Sequence, residues 1–140
     1  MRAALRIIRI LERHKIPWIL EHPLTSRAWW IRAFGRLLEK EHIEFVVLDQ
    51  CQYGTPWKKA TGLLCSRIDS TARLGHRCGG LRNNKCSRTG KAHIVLRGAD
   101  PKSGKNWTSI ASPYPAKLNR ALAFCLVDSF RHRFSVDELM

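Results

Sequence analysis

The sequence predicts an α/β domain, a small sheet of three strands with flanking helices, on three observations. Two runs rich in β-branched, aromatic and apolar residues, "IEFVVLD" (Ile43–Asp49) and "ATGLLCS" (Ala60–Ser66), read as strands. A shorter apolar run, "WILE" at residues 18–21, precedes them and ends in a carboxylate. Between that short run and Ile43, Trp30, Phe34, Leu37 and Leu38 fall at helical core spacing. A helix between two strands is the pattern of a crossover joining parallel neighbours.

Taken in order, the chain opens with a helix over residues 2–14. Ala4, Ile7, Ile8 and Leu11 mark one face and arginines the other, and Pro17 ends it. Arg6 and Arg9 interrupt any secretory signal core, and no apolar run approaches the ~20 residues that span a bilayer. Ser26 is placed to cap the second helix, which runs through Lys40. After the second strand the connection "QCQYGTPWKK" is longer than a tight hairpin needs, and it carries two aromatics, a proline and two lysines. Past Ser66 the texture changes to a loop-rich basic segment, with one strand-like fragment at residues 93–96. A last helix follows over residues 115–130, with Pro115 in its first turn and Leu118, Leu122, Cys125 and Leu126 facing the core. Three segments result: 1–65 as an α/β half-domain, 66–112 as a basic Cys/His-containing insertion, and 113–140 as a closing helix and tail.

At 140 residues a single domain is expected. The 25 Lys and Arg against 11 Asp and Glu give a net charge of +14. A folded, non-repetitive chain this basic points to a polyanion, and nucleic acid leads over an anionic membrane surface. Between Trp57 and Lys105 there are twelve Lys or Arg against two acids, Asp69 and Asp100. Lys58, Arg73, Arg77, Arg82, Lys85, Arg88, Lys91 and Arg97 are the candidates for phosphate contacts, each of which would steepen the fall of affinity with salt. The five cysteines are an odd number without framework spacing, which fits reduced thiols in an intracellular compartment, nuclear or cytoplasmic, better than secreted disulfides.

His76, Cys78, Cys86 and His93 offer the N and S donors that tetrahedral zinc takes, with Cys65 as a substitute ligand. Their spacing is irregular. A Gly-rich segment with so little apolar content nevertheless needs a staple to be ordered, and a metal would supply one. The bland alternative is a solvated basic loop with free thiols. Cys51 reads as a packed thiol.

Three short stretches carry a resemblance. Glu21-His22-Pro23 after a buried strand resembles the Glu-Asn-Val or Glu-Asn-Pro signature of cytosine-5 DNA methyltransferases. "QYGTPWKKATGLL" is similar to that family's later Tyr-Gly-Val-Pro-Gln-x-Arg-x-Arg signature, and "SPYPAKLNRALAFCL" to its closing Gly-Asn-x-Val-Pro-x-x-Leu-x-x-Ala-Leu helix. The order is the family's, and relatives of this type occur in mobile elements and phages. The resemblance implies a partial Rossmann-like methyltransferase sheet, with the basic insertion where the family keeps its target-recognition segment.

It also implies Glu21 as the carboxylate that meets cytosine N3. Lys59 stands where the family has its first arginine, and Thr61 at the second. Tyr53, Gly54, Pro56 and Trp57 form the loop wall. His22 replaces the family's Asn, and Lys binds phosphate as a point charge rather than gripping a base edge bidentately. The family's Gly-rich cofactor turn does not precede Pro17, and no cysteine follows a proline. The expectation is therefore a methyltransferase-like carboxyl half that binds nucleic acid, DNA first. It would not bind S-adenosylmethionine alone, and would be active only with a complementary chain or upstream segment that does. The alternative is a non-catalytic basic nucleic-acid-binding module, zinc-stapled, from a mobile element. For single residues the plainer readings stay open: Glu21 as a cap or ion-pair partner, Tyr53 and Trp57 as packing lids, Lys58 and Lys59 as a solvated face.

Overall fold

A computed structural model of the chain describes residues 1–79 and 84–134. Helix α1 (Arg2–Arg13) leads through Pro17 into strand β1 (Trp18–Pro23). A 3-10 turn (Arg27–Trp30) and helix α2 (Arg32–Leu38) follow, then strand β2 (Ile43–Asp49), a second 3-10 turn (Gln50–Tyr53) and strand β3 (Ala60–Ser66). After the basic segment come a one-turn helix α3 (Trp107–Ile110) and the long helix α4 (Ala116–Arg133).

The sheet is antiparallel, with order β1-β3-β2. This corrects the expectation of adjacent parallel strands. β1 and β2 do run the same way, with α2 between them in sequence. β3, however, returns from β2 through a hairpin and inserts between the two, so Leu63 faces Glu21 on one side and Val46 on the other. The physical reason is local: a ten-residue connection brings β3 back along β2 at low loop-closure cost, and the slot beside β1 is then taken. What stands is a mixed α/β domain with an open three-stranded antiparallel sheet.

Alternation along the strands divides the core in two. On one face Val46, Leu48, Leu63 and Cys65 meet Leu118 and Cys125 of α4, with Tyr53 and Leu74. On the other, Trp18, Ile43 and Leu64 meet Ile8 of α1 and Phe34 of α2. Each fully buried leucine contributes about 1.5–3 kcal/mol of transfer free energy. Gly62 is where β3 crosses under an aromatic lid: a Cβ there would lie 2.7 Å from Phe45 Cζ and 3.1 Å from Trp29.

Glu12, at the end of α1, ties the elements together. Its carboxylate accepts hydrogen bonds from Trp18 Nε1 (2.9 Å), Ser66 Oγ (2.6 Å) and Arg67 Nη1 (2.7 Å), and pairs with Lys40 and His42. Burial alone would raise its pKa; the hydrogen bonds from Ser66, His42, Trp18 and Arg67 outweigh that and hold it far below the ordinary 4.5.

Several local expectations are refined. The crossover helix is broken, because Ser26 caps the 3-10 turn through Ala28 N (3.1 Å), and α2 begins only at Arg32. The turn packs Trp29 against the core and leaves Trp30, the residue expected there, 83% exposed; Leu38 and Ile7, also expected on core faces, are exposed as well. Pro115 is the N-cap of α4 rather than part of its first turn. Residues 93–96 are not a strand; instead Ile94 N donates to Pro56 O (2.9 Å), tying the insertion to the hairpin connection. Among the described residues no helix is long and apolar enough to cross a membrane.

Candidate metal centre and its basic surround

The site begins where β2 ends. The chain tightens into the 3-10 turn Gln50–Tyr53, which Gly54 closes with a φ of +107° that other residues rarely adopt. This turn buries Cys51 completely. Asp49, also fully buried, then fixes a second segment beside it. Asp49 Oδ2 accepts from Cys78 N (2.8 Å) and Arg77 Nε (2.9 Å), and Asp49 N donates to His76 O (3.0 Å). A third segment doubles back as a small loop, with Cys86 N donating to Lys91 O and Gly90 N to Cys86 O, both at 2.7 Å.

These constraints bring Cys51, Cys78, Cys86 and His93 together, one ligand atom each, all within 4.8 Å of one another. Among the described residues no disulfide joins any of the five cysteines. Three thiols and an imidazole are a donor set that soft and borderline metals take in tetrahedral sites. The surroundings suit that use. His93 Nδ1 lies 3.3 Å from Asn84 Oδ1, which selects the tautomer whose Nε2 is turned toward the sulfurs, 3.7 Å from Cys78 Sγ. Ser87 N and Oγ donate to Cys78 Sγ at 3.4 and 3.5 Å, and Gln52 Nε2 donates to Cys51 Sγ at 3.4 Å. Donors aimed at sulfur stabilise thiolates, the form that binds metal. Burial pushes the Cys51 thiol up to about 12 when protons rather than a cation occupy the cluster. This cluster can hold a metal ion.

The ligand set differs from the expected one by one member. Cys78, Cys86 and His93 are in it. His76 is not, because its ring packs against Tyr53 at 5.8 Å while its backbone serves Asp49. Cys51, read as a packed thiol, takes the fourth place. Cys65 lies in the sheet core beside Val46 and Leu63, where burial raises its thiol to about 12. A cysteine directly after a strand, at a turn closed by Gly, was the available signal for Cys51.

The predicted cations separate into two groups. Arg77 is committed to Asp49, Arg88 Nε to Cys51 O (2.6 Å), and the Arg73 guanidinium covers the Phe124 ring at 4.7 Å. Lys85, Lys91 and Arg97 are exposed, and Lys58 is half-exposed. Arg82 lies outside the described residues. Tyr53 is buried, its hydroxyl donating to Arg73 O (2.9 Å), and burial raises its pKa to about 12. Trp57 is half-buried and Pro56 exposed.

Glu21 and Lys59 are both held by one segment, the approach to α4. Tyr114 Oη donates to the Glu21 carboxylate, and Lys59 Nζ donates to Ala111 O (2.6 Å). Lys59 itself has a left-handed φ of +36°. The end of β1 and the hairpin connection are therefore both tied to the 111–114 segment. No family model, curated protein or solved structure matches this chain.

Proposed function

We propose that the chain is a zinc-stapled nucleic-acid-binding module. The observation that carries this reading is the convergence of three thiols and one imidazole, drawn from the hairpin turn and from the basic segment, within 4.8 Å. A segment with few apolar side chains gains order from such a staple, and here the staple joins it to the sheet. Zinc fits better than oxygen-seeking cations because no carboxylate or carbonyl is needed to complete four N/S ligands. The polyanion follows from the charge of +14, from the exposed Lys85 and Lys91 beside Cys86, and from the exposed Arg97 further along the segment. DNA is the first candidate.

The test has two parts. Protein purified without chelator should carry one zinc per chain, and a ratio near zero discards the staple. Affinity for a DNA duplex should fall steeply between low and high salt, as phosphate contacts require, and should drop when the metal is stripped. A salt-independent affinity overturns the phosphate contacts.

One observation favours a second reading, a methyltransferase-like carboxyl half. The three stretches that carry the family resemblance meet in space, the first and third through Glu21–Tyr114 and the second and third through Tyr53 and Leu63 packed with Leu118 and Cys125. In that reading Glu21 and Lys59 would act only after the 111–114 segment moves aside for a flipped base and a separate cofactor-binding half docks. Calorimetry with S-adenosylmethionine should give no heat for this chain alone; micromolar binding would overturn the missing-half account.

A further inference from the structure

Beside the metal cluster lies a cavity of about 380 Å³, walled by the Gly54–Pro56 turn on one side and by the loop from Cys86 to Ile94 on the other. Its lining is divided by chemistry. Arg88, Lys91 and the hydroxyl of Thr89 supply charge and hydrogen bonding, while Pro56, Ala92 and Ile94 supply an apolar wall. The volume is at the lower end of the range of small-ligand sites, about 300–1,000 Å³. An amphipathic pocket of this size, basic at one part and apolar at another, matches an anionic phosphate joined to a flat apolar ring.

The metal ligands frame this cavity. Cys86 lines it directly, and His93 ends the same loop one residue before Ile94. Cys51 stands at the root of the opposite wall, where its carbonyl accepts from Arg88 Nε (2.6 Å) and so fixes the guanidinium at the cavity rim. The two walls are also joined by Ile94 N donating to Pro56 O. Closing a loop at both ends through one ion removes most of its freedom, so Arg88, Thr89 and Lys91 are presented in one arrangement only when the ligands are drawn together.

Resting on the nucleic-acid reading above, we infer that this cavity receives a single unstacked nucleotide, so that the module prefers single-stranded over duplex nucleic acid. The phosphate would meet Arg88, Lys91 and Thr89, and the base would lie on Pro56 and Ile94. In a duplex the base is stacked and paired, and extracting it costs free energy that a single strand does not owe.

The test uses the full zinc-loaded chain with single-stranded oligothymidylate and with the corresponding dA·dT duplex, zinc content being measured on every variant. The wild type should bind the single strand about tenfold more tightly, the scale of one captured base. Lys91→Glu removes the phosphate contact. Ala92→Phe fills the cavity without changing charge. Each should lower single-strand affinity about tenfold and erase the preference, with zinc retained. Lys102→Glu makes the same charge change as Lys91→Glu at an exposed lysine outside the cavity and should cost less than about twofold. Equal losses in Lys91→Glu and Lys102→Glu, or wild-type behaviour in zinc-loaded Ala92→Phe, would overturn the inference. Equal wild-type affinity for both strands would also overturn it. Failure of the parent reading looks different, since the wild type would then bind neither nucleic acid.

Discussion

Two halves of this molecule solve the problem of order by different means. The sheet buries leucines on both faces, with Phe34 and Trp18 on the α1/α2 side, and the one carboxylate at the junction of α1 with the sheet, Glu12, is satisfied by donors from α1's neighbours. The basic segment between β3 and α3 buries Leu74 against the sheet, but near its centre the buried side chains are sulfur: Cys78 and Cys86 against Cys51. Apolar burial is non-directional and tolerates substitution by volume. A ligand cluster is directional, and removing one member withdraws the whole contribution. The first region should therefore fail gradually under mutation, and the second all at once.

The largest expected effect is Cys78→Ser. It should abolish stoichiometric zinc and release the basic segment, while β1–β3 persist. Hydrogen exchange should show amides at 84–93 losing protection with those of β3 unchanged; uniform loss across both regions would show that the two are one cooperative unit. Because the binding energy of structural zinc is of order 10 kcal/mol in small domains, the local loss should be complete rather than partial.

Glu12→Gln probes the other region. The carboxylate side chain is only 9% exposed and faces Arg67, Lys40 and His42, so neutralising it should cost about 3 kcal/mol in urea unfolding, with zinc content unaffected. Its pH signature has a definite sign. A carboxylate held below its ordinary value stabilises the fold above that value, near 4.5, and the stabilisation drains away as pH falls toward the depressed native pKa. The wild type should lose stability steeply below about pH 4.5 and Glu12→Gln should not; parallel acid titrations would refute the role given to Glu12.

Gly62→Ala is the smallest of the three. A Cβ placed 2.7 Å from Phe45 must displace that ring or Trp29, at a cost of about 1–3 kcal/mol, read as a lowered denaturant midpoint. A midpoint equal to wild type would mean the aromatic lid moves aside freely.

Much of the fold was legible in the residues. The spans of β2 and β3 match the apolar, β-branched runs residue for residue, α1 and α4 form where expected although Leu5 rather than Ile7 packs inward from α1, and Cys78, Cys86 and His93 stood out as candidate ligands by type alone. What was not legible depends on distant partners. The antiparallel insertion of β3 is a choice of neighbour, and the pattern of Val46, Leu48 and Leu63 reads the same beside either strand. The exchange of Trp30 for Trp29 in the core turns on one residue of register within a 3-10 turn, below what helical spacing resolves.

The sequence by itself determined the strand-forming runs, the helices, the basic charge and the supply of sulfur and imidazole, because each is a property of neighbouring residues. Only the tertiary structure decided that Cys51, and not His76, completes the cluster that can hold a metal. That choice needed Asp49 at the end of β2 to grip the backbone around Cys78, and so to set a thiol twenty-seven positions away in sequence against the hairpin turn.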